Sequence, residues 1–182
     1  HGRWILLSPA RLVPVKGHGV LLTALKLLLE ERSDFECWLA GDGFLRERLE
    51  QMVNRLGLQK YVRFLGDRSD VPSLMRVADM MILPSLQDNL PFSIMEAQLV
   101  GLPVIGSTAG GIPEMITDGE TGLLFEKGNS RALKEKIAQL MKHQELYQKL
   151  QENEKRFASQ KWSSKMLVSQ VLNAYMQVVS KK

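Results

Sequence analysis

The chain has few of the residues that mark disulfide-bonded, metal-binding and membrane proteins. Cys37 is the only cysteine among 182 residues, so an internal disulfide is excluded, and its apolar neighbours indicate a buried structural thiol. His1, His18 and His143 are scattered and no Asp-x-Asp pair occurs, which disfavours a metal site. No apolar run reaches the roughly eighteen residues of a membrane span, and no secretory leader is apparent. We therefore expect a cytoplasmic protein without a metal or other cofactor.

Several motifs of common enzymes and of nucleic-acid-binding proteins are also missing. The G-x-G at residues 41–43 follows the second predicted strand and lacks a third glycine, which disfavours a dehydrogenase. There is no Walker lysine motif and no G-x-S-x-G elbow. No helix-turn-helix, zinc or aromatic-basic RNA-binding pattern appears, so nucleic acid is not expected as a partner. The formal net charge of +4 instead suits an anionic ligand or an anionic membrane surface.

Apolar runs and amphipathic segments alternate along the chain. The strands are predicted at residues 4–8, 35–40, 62–66, 80–84, 103–106 and 123–125. Helices are predicted between them and after them, at 19–32, 44–56, 71–78, 92–100, 131–142, 145–159 and about 164–179. Such alternation is typical of an α/β protein. We expect residues 1–182 to form one domain, a doubly wound Rossmann-like parallel sheet of about six strands in three α/β/α layers.

Ligands of this architecture bind at the carboxyl ends of the strands, so the loops there are the first candidates for a site. Arg11 and Lys16 lie in the loop after the first strand, and two such cations can clamp a phosphate or diphosphate. After the fourth strand, Pro91 suits the first position of a helix whose free N–H groups would attract an anion. Asp88 and Glu96 flank that helix start, where they could contact hydroxyl groups attached to the anion. A solvated pair of cations and an ordinary helix cap at Asp88 are the simpler alternatives.

A glycine pair follows the fifth strand at Gly110 and Gly111. Glycine there either permits a tight strand-to-helix turn or lets a ligand come close to the backbone. The sequence leaves both readings open, with ligand approach slightly favoured. For Gly43, after the second strand, the tight turn is favoured.

Five motifs, taken in order, resemble the C-terminal half of a family 4 glycosyltransferase, a family of retaining, metal-independent enzymes with the GT-B fold. The resemblance covers about residues 5–127. It rests on Arg11-Leu-Val-Pro-Val-Lys-Gly17, Leu39-Ala-Gly-Asp-Gly43, Phe64-Leu-Gly66, Pro84-Ser-Leu with Asp88 and Glu96-Ala97, and Gly101-Leu-Pro-Val-Ile105 followed by Gly110-Gly-Ile-Pro-Glu114. The chain is thereby identified as the donor-binding half of such an enzyme.

The resemblance implies a nucleotide-diphosphate sugar as donor and a role for each matched residue. Arg11 and Lys16 would hold the diphosphate and stabilise its charge as the sugar leaves. Asp88 would bind hydroxyls of the transferred sugar and Glu96 those of the ribose. Gly66 begins the loop expected near the base. The predicted nucleotide-sugar-binding residues are Arg11, Lys16, Gly66, Asp88, Asn89, Leu90, Phe92 and Glu96, of which Arg11, Lys16 and Asp88 are the predicted catalytic residues.

Two departures from the family pattern affect the sugar end of this site. Asp88 stands where the family usually has Glu, and Asn89-Leu90-Pro91 replaces the usual Gly-Phe-Gly, so one N–H donor is lost. The Asp-Asn-Leu-Pro sequence resembles a bacterial polysaccharide-assembly subgroup.

The implied partners are the other GT-B half, which the expected last helix would contact, and an acceptor that could be lipid-linked at a membrane surface. We expect this half alone to be inactive. A GT-B epimerase or phosphorylase and a non-catalytic nucleotide-binding module remain alternatives.

Overall fold

The structure, a computed structural model, describes residues 2–161. The helix expected at about 164–179 lies outside the described residues. The strands are β1 Trp4–Pro9, β2 Phe35–Ala40, β3 Val62–Gly66, β4 Met80–Leu83, β5 Val104–Ser107 and β6 Leu123–Phe125. The helices are α1 His18–Leu29, α2 Arg46–Leu56, α3 Val71–Val77, α4 Phe92–Val100, α5 Ile112–Met115, α6 Ser130–Lys142 and α7 Gln144–Lys161. A short 3-10 turn, Pro14–Lys16, precedes α1.

All six strands are parallel and lie in the order β3-β2-β1-β4-β5-β6. This order confirms the expected doubly wound, Rossmann-like sheet. The chain runs outward from β1 to β3, returns to the centre at β4, and then runs to the opposite edge. β1 and β4 are therefore neighbours, with Leu6 opposite Met80 and Leu7 opposite Met81.

Two apolar cores lie on opposite faces of the sheet because successive strand residues point in opposite directions. Leu6 belongs to the core that also contains residues of α1, α2 and α6. Leu7 belongs to the core that contains residues of α3, α4 and α5. Both leucines are fully buried, which explains why the strand reads as a continuous apolar run. The three-layer α/β/α arrangement is thus confirmed. Cys37 lies in the first core, and burial raises the pKa of its thiol.

Most element boundaries agree with the sequence-based prediction to within about three residues, the usual spread at helix and strand ends. The expected helix at 92–100 is confirmed as α4, but Pro91 is its N-cap rather than its first helical residue, with ψ of 106° and a carbonyl that accepts the Ile94 N–H at 3.0 Å. Proline's fixed φ suits the N-cap as well, so the local preference did not distinguish the two positions. Gly57 ends α2 in the left-handed conformation, as expected of a C-terminal glycine.

Candidate active site

The crevice between the loops after β1 and β4 is the topological switch point of the sheet. From these neighbouring strands the chain leaves toward opposite sides, because α1 packs on one face and α4 on the other. In open α/β sheets the ligand site lies outside the carboxyl ends of the strands at this point. The predicted residues Arg11 and Lys16 follow β1, and Asp88, Asn89 and Leu90 follow β4.

The two loops are joined by backbone contacts. The Val15 carbonyl accepts the Leu86 N–H at 2.7 Å and the Gln87 N–H at 3.3 Å. Gly17 adopts a left-handed conformation with φ of 67°, and a Cβ there would lie 1.9 Å from the Pro84 carbonyl oxygen. Only glycine satisfies both conditions. The glycine after Lys16 therefore sets the distance between the loops that carry the predicted site residues.

Lys16 and Asp88 form an ion pair across the crevice. Lys16 Nζ lies 2.6 Å from Asp88 Oδ2, and the side chains are 20% and 11% exposed. The Ser85 hydroxyl donates to the same Asp88 oxygen at 3.1 Å. The sequence pattern indicated a lysine facing the ligand and an acid facing the sugar, whereas the structure brings these two predicted residues into direct contact with each other.

The glycine pair Gly110 and Gly111 supports the loop after β4. A Cβ on Gly110 would lie 2.0 Å from the Asp88 carbonyl oxygen, and one on Gly111 would lie 1.9 Å from the Asn89 carbonyl oxygen. The Gly111 N–H also donates to the Asp88 carbonyl at 2.9 Å. The sequence slightly favoured approach by a ligand. In the structure it is the protein's own loop, residues 88–89, that occupies this space.

Gly43 makes a similar close approach in the loop after β2. A Cβ there would lie 2.6 Å from the Leu12 carbonyl oxygen, in the loop after β1. The sequence favoured a tight local turn, and this interpretation misses the tertiary role of Gly43. That role is to let the loops after β1 and β2 pack against each other.

A cavity of about 560 Å³ opens beside these loops. Arg11 and Glu96 line it from opposite sides, one after β1 and the other on α4. The full lining is Pro9, Ala10, Arg11, Ala40, Gly41, Asp42, Asp67, Arg68, Ser69, Val71, Pro72, Ser93 and Glu96. Of the eight predicted binding residues, Arg11 and Glu96 line this cavity. The loop after β3, which the resemblance implies to lie near the base, lines the cavity through residues 67–69.

The other predicted residues lie around the cavity without lining it. Gly66 has φ of 70°, and its carbonyl accepts the Gly41 N–H at 2.7 Å, which holds the loops after β2 and β3 together. Leu90 is 53% exposed and Phe92 is 68% exposed. Asn89 is fixed by its carbonyl's approach to Gly111. These residues shape the rim, and their proposed contacts with a ligand stay predictions.

Outside the loop after β3, sequence reasoning missed two polar cavity residues, Ser93 and Asp42. Ser93 precedes Glu96 by three residues on α4, so helical spacing places both on one face, and this signal was available. Asp42 follows β2 at the carboxyl edge and is paired with Arg46 at 3.1 Å. The hydrogen bond from the Gly43 N–H and the neighbouring Arg46 lower the pKa of the Asp42 carboxyl.

The N-terminus of α4 can receive an anion at the cavity. Within residues 2–161, the N–H groups of Phe92 and Ser93 donate to no backbone carbonyl. Such groups at a helix start carry partial positive charge and attract phosphate. Among residues 2–161, Arg11 forms no ion pair with an acidic side chain, and it adds a positive charge from the facing loop. The cavity thus combines the positive charge of Arg11 and a helix N-terminus with the carboxylates of Asp42, Asp67 and Glu96.

Two further features of the site concern ionisation. His18, the first residue of α1, is buried and follows the Lys16 loop; burial, helped by the Lys16 charge, lowers its pKa to about 4. It is therefore a neutral side chain and adds no charge to the site at pH 7. Arg68 donates two hydrogen bonds to the Asp70 carboxylate, from Nε to Oδ1 at 2.7 Å and from Nη2 to Oδ2 at 2.6 Å. This bidentate contact lowers the pKa of the Asp70 carboxyl.

Neither a metal cluster nor a membrane span is found in the described part of the chain. Residues 2–161 contain no group of three or more His, Cys, Asp or Glu side chains placed to hold a metal ion. None of their helices is both long enough and apolar enough to cross a bilayer.

The parallel sheet and its switch-point cavity define a Rossmann-like domain of the kind that forms one half of a GT-B enzyme. The family described as Glycosyl transferases group 1 matches residues 1–157. The chain therefore belongs to this glycosyltransferase family, which confirms the resemblance. Among relatives, it is 36% identical to an uncharacterised glycosyltransferase of Methanocaldococcus jannaschii, over 90% of this chain and 45% of that protein. It is 33% identical to N-acetyl-alpha-D-glucosaminyl L-malate synthase of Bacillus anthracis, over 80% of this chain and 38% of that enzyme.

Solved structures show the same fold. The Anabaena protein HepE in complex with UDP superposes with a TM-score of 0.88 at 28% identity, covering 97% of this chain and 49% of HepE. HepE has also been solved with UDP-glucose. The C-terminal domain of a group 1 glycosyl transferase from Francisella tularensis superposes with a TM-score of 0.82 at 25% identity, covering 90% of this chain and 88% of that domain. The chain thus spans about half, or less, of the full-length relatives it matches.

Proposed function

We propose that this chain is the donor-binding half of a glycosyltransferase that takes its sugar from a nucleotide diphosphate. The observation that carries the proposal is the cavity at the switch point, with Arg11 on one side and the N-terminus of α4 with Glu96 on the other. That arrangement matches the chemistry of a nucleotide diphosphate, which has anionic phosphates beside the hydroxyls of a ribose. The UDP and UDP-glucose complexes of HepE support a uridine nucleotide as the first ligand to test.

Each side of the cavity has a separate task in this proposal. The N–H groups of Phe92 and Ser93, with the charge of Arg11, bind the phosphates. The Glu96 carboxylate accepts hydrogen bonds from the ribose hydroxyls. Residues 67–69 lie beside the base. As the bond to the sugar breaks, negative charge builds up on the diphosphate, and preorganised positive groups stabilise that charge without a metal ion.

We propose further that transfer needs the other half of the full-length protein and that the configuration at the sugar is retained. Exposed apolar side chains at this edge of the sheet support the proposal that another surface covers them. Among the residues the structure describes, five of the seven large exposed hydrophobic side chains lie in or next to the loops after β1, β2 and β4: Val15, Phe44, Leu86, Leu90 and Phe92. A second domain or an apolar acceptor would bury them. Names of relatives such as the putative colanic acid biosynthesis glycosyltransferase of Escherichia coli support a role in polysaccharide assembly. We propose the cytoplasmic face of a membrane as the place of that role.

Calorimetry with the purified chain tests donor binding. We expect UDP, GDP or ADP to bind selectively over the matching monophosphate and nucleoside, because the site is built around a diphosphate. If circular dichroism shows that the chain is folded and calorimetry detects no binding of any nucleotide, the proposal is contradicted. Transfer is tested separately by incubating the full-length protein with labelled sugar nucleotides. Binding without transfer or hydrolysis would indicate a non-catalytic nucleotide-binding module instead.

A further inference from the structure

In the Lys16–Asp88 ion pair, Asp88 neutralises a positive charge that the proposed nucleotide-diphosphate donor needs. Lys16 Nζ is 2.6 Å from Asp88 Oδ2, which is the distance of a charge-assisted hydrogen bond. Both side chains are largely buried, at 20% and 11% exposure, so water screens the pair weakly. The ammonium is thus neutralised by a carboxylate of the same chain.

Asp88 is held in this position from several directions. The buried Ser85 hydroxyl donates to Asp88 Oδ2 at 3.1 Å, and the Ser85 carbonyl accepts the Ser107 hydroxyl at 2.5 Å. The Gly111 N–H holds the Asp88 carbonyl at 2.9 Å. β4 and β5 therefore fix the carboxylate, and the lysine on the β1 loop reaches toward it. Because the carboxylate is fixed beside the lysine, it competes for the lysine with any anion that approaches.

We propose that Asp88 is the counter-ion of Lys16 and limits the affinity of the site for a nucleotide diphosphate. This inference rests on the proposed function and assigns Asp88 a role that acts through Lys16, in place of the sugar contact that the family resemblance implies. An incoming diphosphate must share Lys16 with the carboxylate or displace the carboxylate from it. The same competition weakens the hold on the nucleotide diphosphate left after transfer, and so favours its release.

The test measures the binding of UDP and of UDP-glucose by calorimetry. The proteins compared are the wild-type chain, the single variants Asp88→Asn, Asp88→Glu and Lys16→Ala, and the double variant that combines Lys16→Ala with Asp88→Asn. Asparagine keeps an acceptor for Lys16 but removes the charge, so UDP should bind about tenfold more tightly, the size of one charged hydrogen bond. UDP-glucose should gain by the same factor. Asp88→Glu keeps the charge and should stay within about threefold of wild type, and in the Lys16→Ala background Asp88→Asn should change the affinity less than about twofold.

Glu31→Gln is the matched control, because it removes the acid of another lysine pair, Glu31–Lys134, at the far end of α1. It should leave UDP affinity unchanged. A measurement on the wild-type chain does not depend on the folding of any variant: UDP, but not uridine, should shift the carboxyl ¹³C resonance of Asp88.

Each contrary result has a separate meaning. Unchanged or weaker UDP binding by folded Asp88→Asn, or an Asp88 resonance that UDP leaves in place, would overturn the counter-ion role. Loss confined to UDP-glucose would make Asp88 a sugar ligand. Equal tightening in the Lys16→Ala background, or in Glu31→Gln, would reveal a general charge effect and also overturn the inference. If the wild-type chain binds no nucleotide diphosphate, the proposed function itself fails, whereas binding without an Asp88 effect refutes only this inference.

Discussion

Replacing Gly111 with alanine tests whether the glycine pair sets the position of the loop after β4. Gly111 has φ of −85° and ψ of 0°, a conformation that alanine adopts, so the substitution adds no backbone strain of its own. The added Cβ would lie 1.9 Å from the Asn89 carbonyl oxygen. The change is therefore a steric probe of one contact between the loops after β4 and β5.

The size of the effect follows from that distance. Real Cβ atoms essentially never come within 3.0 Å of a backbone oxygen, so the two loops must separate by about 1 Å. Overpacking of this kind costs about 1–3 kcal/mol of the free energy of unfolding. At about 3 °C per kcal/mol for a chain of this length, the melting temperature should fall by about 3–9 °C. Because α4 starts just after the displaced loop, the N–H groups proposed to bind phosphate move too, and UDP affinity should fall about tenfold or more.

Thermal melting and calorimetric UDP titration measure both effects on one preparation. Gly57→Ala is the matched control: Gly57 has φ of 70°, where alanine is strained, but a Cβ there meets nothing within 4 Å. That variant should lose about 1–2 kcal/mol of stability through backbone strain alone. Since Gly57 ends α2 away from the cavity, its UDP affinity should stay that of wild type.

The contrast between the two variants decides the matter. If Gly111→Ala melts like wild type and binds UDP equally well, the loop does not depend on this close approach and the reasoning is refuted. If both variants lose UDP affinity in proportion to their loss of stability, the loss of affinity reflects general destabilisation. The proposed role of Gly111 in positioning the loop is then refuted as well.

Further predictions concern the cationic side of the site and two buried ionisable groups. Lys16→Ala should weaken diphosphate binding by about 1.5–3 kcal/mol in calorimetry, the range for hydrogen bonds to charged groups, and an affinity equal to wild type would mean that Lys16 does not contact the diphosphate. Burial lowers the pKa of His18 to about 4, so unfolding takes up a proton and stability should fall by about 3 kcal/mol between pH 6.5 and 4; denaturant titrations should show a smaller fall for His18→Gln. Burial raises the pKa of Glu154 well above its ordinary value, so unfolding releases a proton and stability should fall as pH rises above about 4.5. Glu154→Gln should remove this slope in the same titrations, and an unchanged slope would contradict the assignment.

The class of the fold could be predicted because it depends on short-range patterns. Continuous apolar runs of four residues in β1, β2 and β4, separated by amphipathic helices, are a local property of the sequence, and they are enough to indicate a parallel sheet. Arg11 and Glu96 could be named for the same reason. Each follows a predicted strand, and the carboxyl ends of parallel strands share one edge.

The contacts within the site could not be read in this way. Lys16 and Asp88 are 72 residues apart, and their 2.6 Å contact depends on how two loops lean toward each other. Gly111 gives no local signal either, because its negative φ suits any residue and only the Asn89 carbonyl excludes a side chain. The N-cap position of Pro91 is a similar case, since proline fits both the N-cap and the next residue.

The sequence by itself determined the sheet, its two apolar faces and the edge at which a ligand would bind, because these follow from residue periodicity and from helix and strand preferences over a few neighbours. Tertiary structure alone decided which charges are free and which are paired. Arg11 lies open on a cavity, whereas Lys16 is held by Asp88. The physical reason is that the strength of an ion pair depends on ångström-scale distance and on burial, and both arise only when loops from distant parts of the chain pack together.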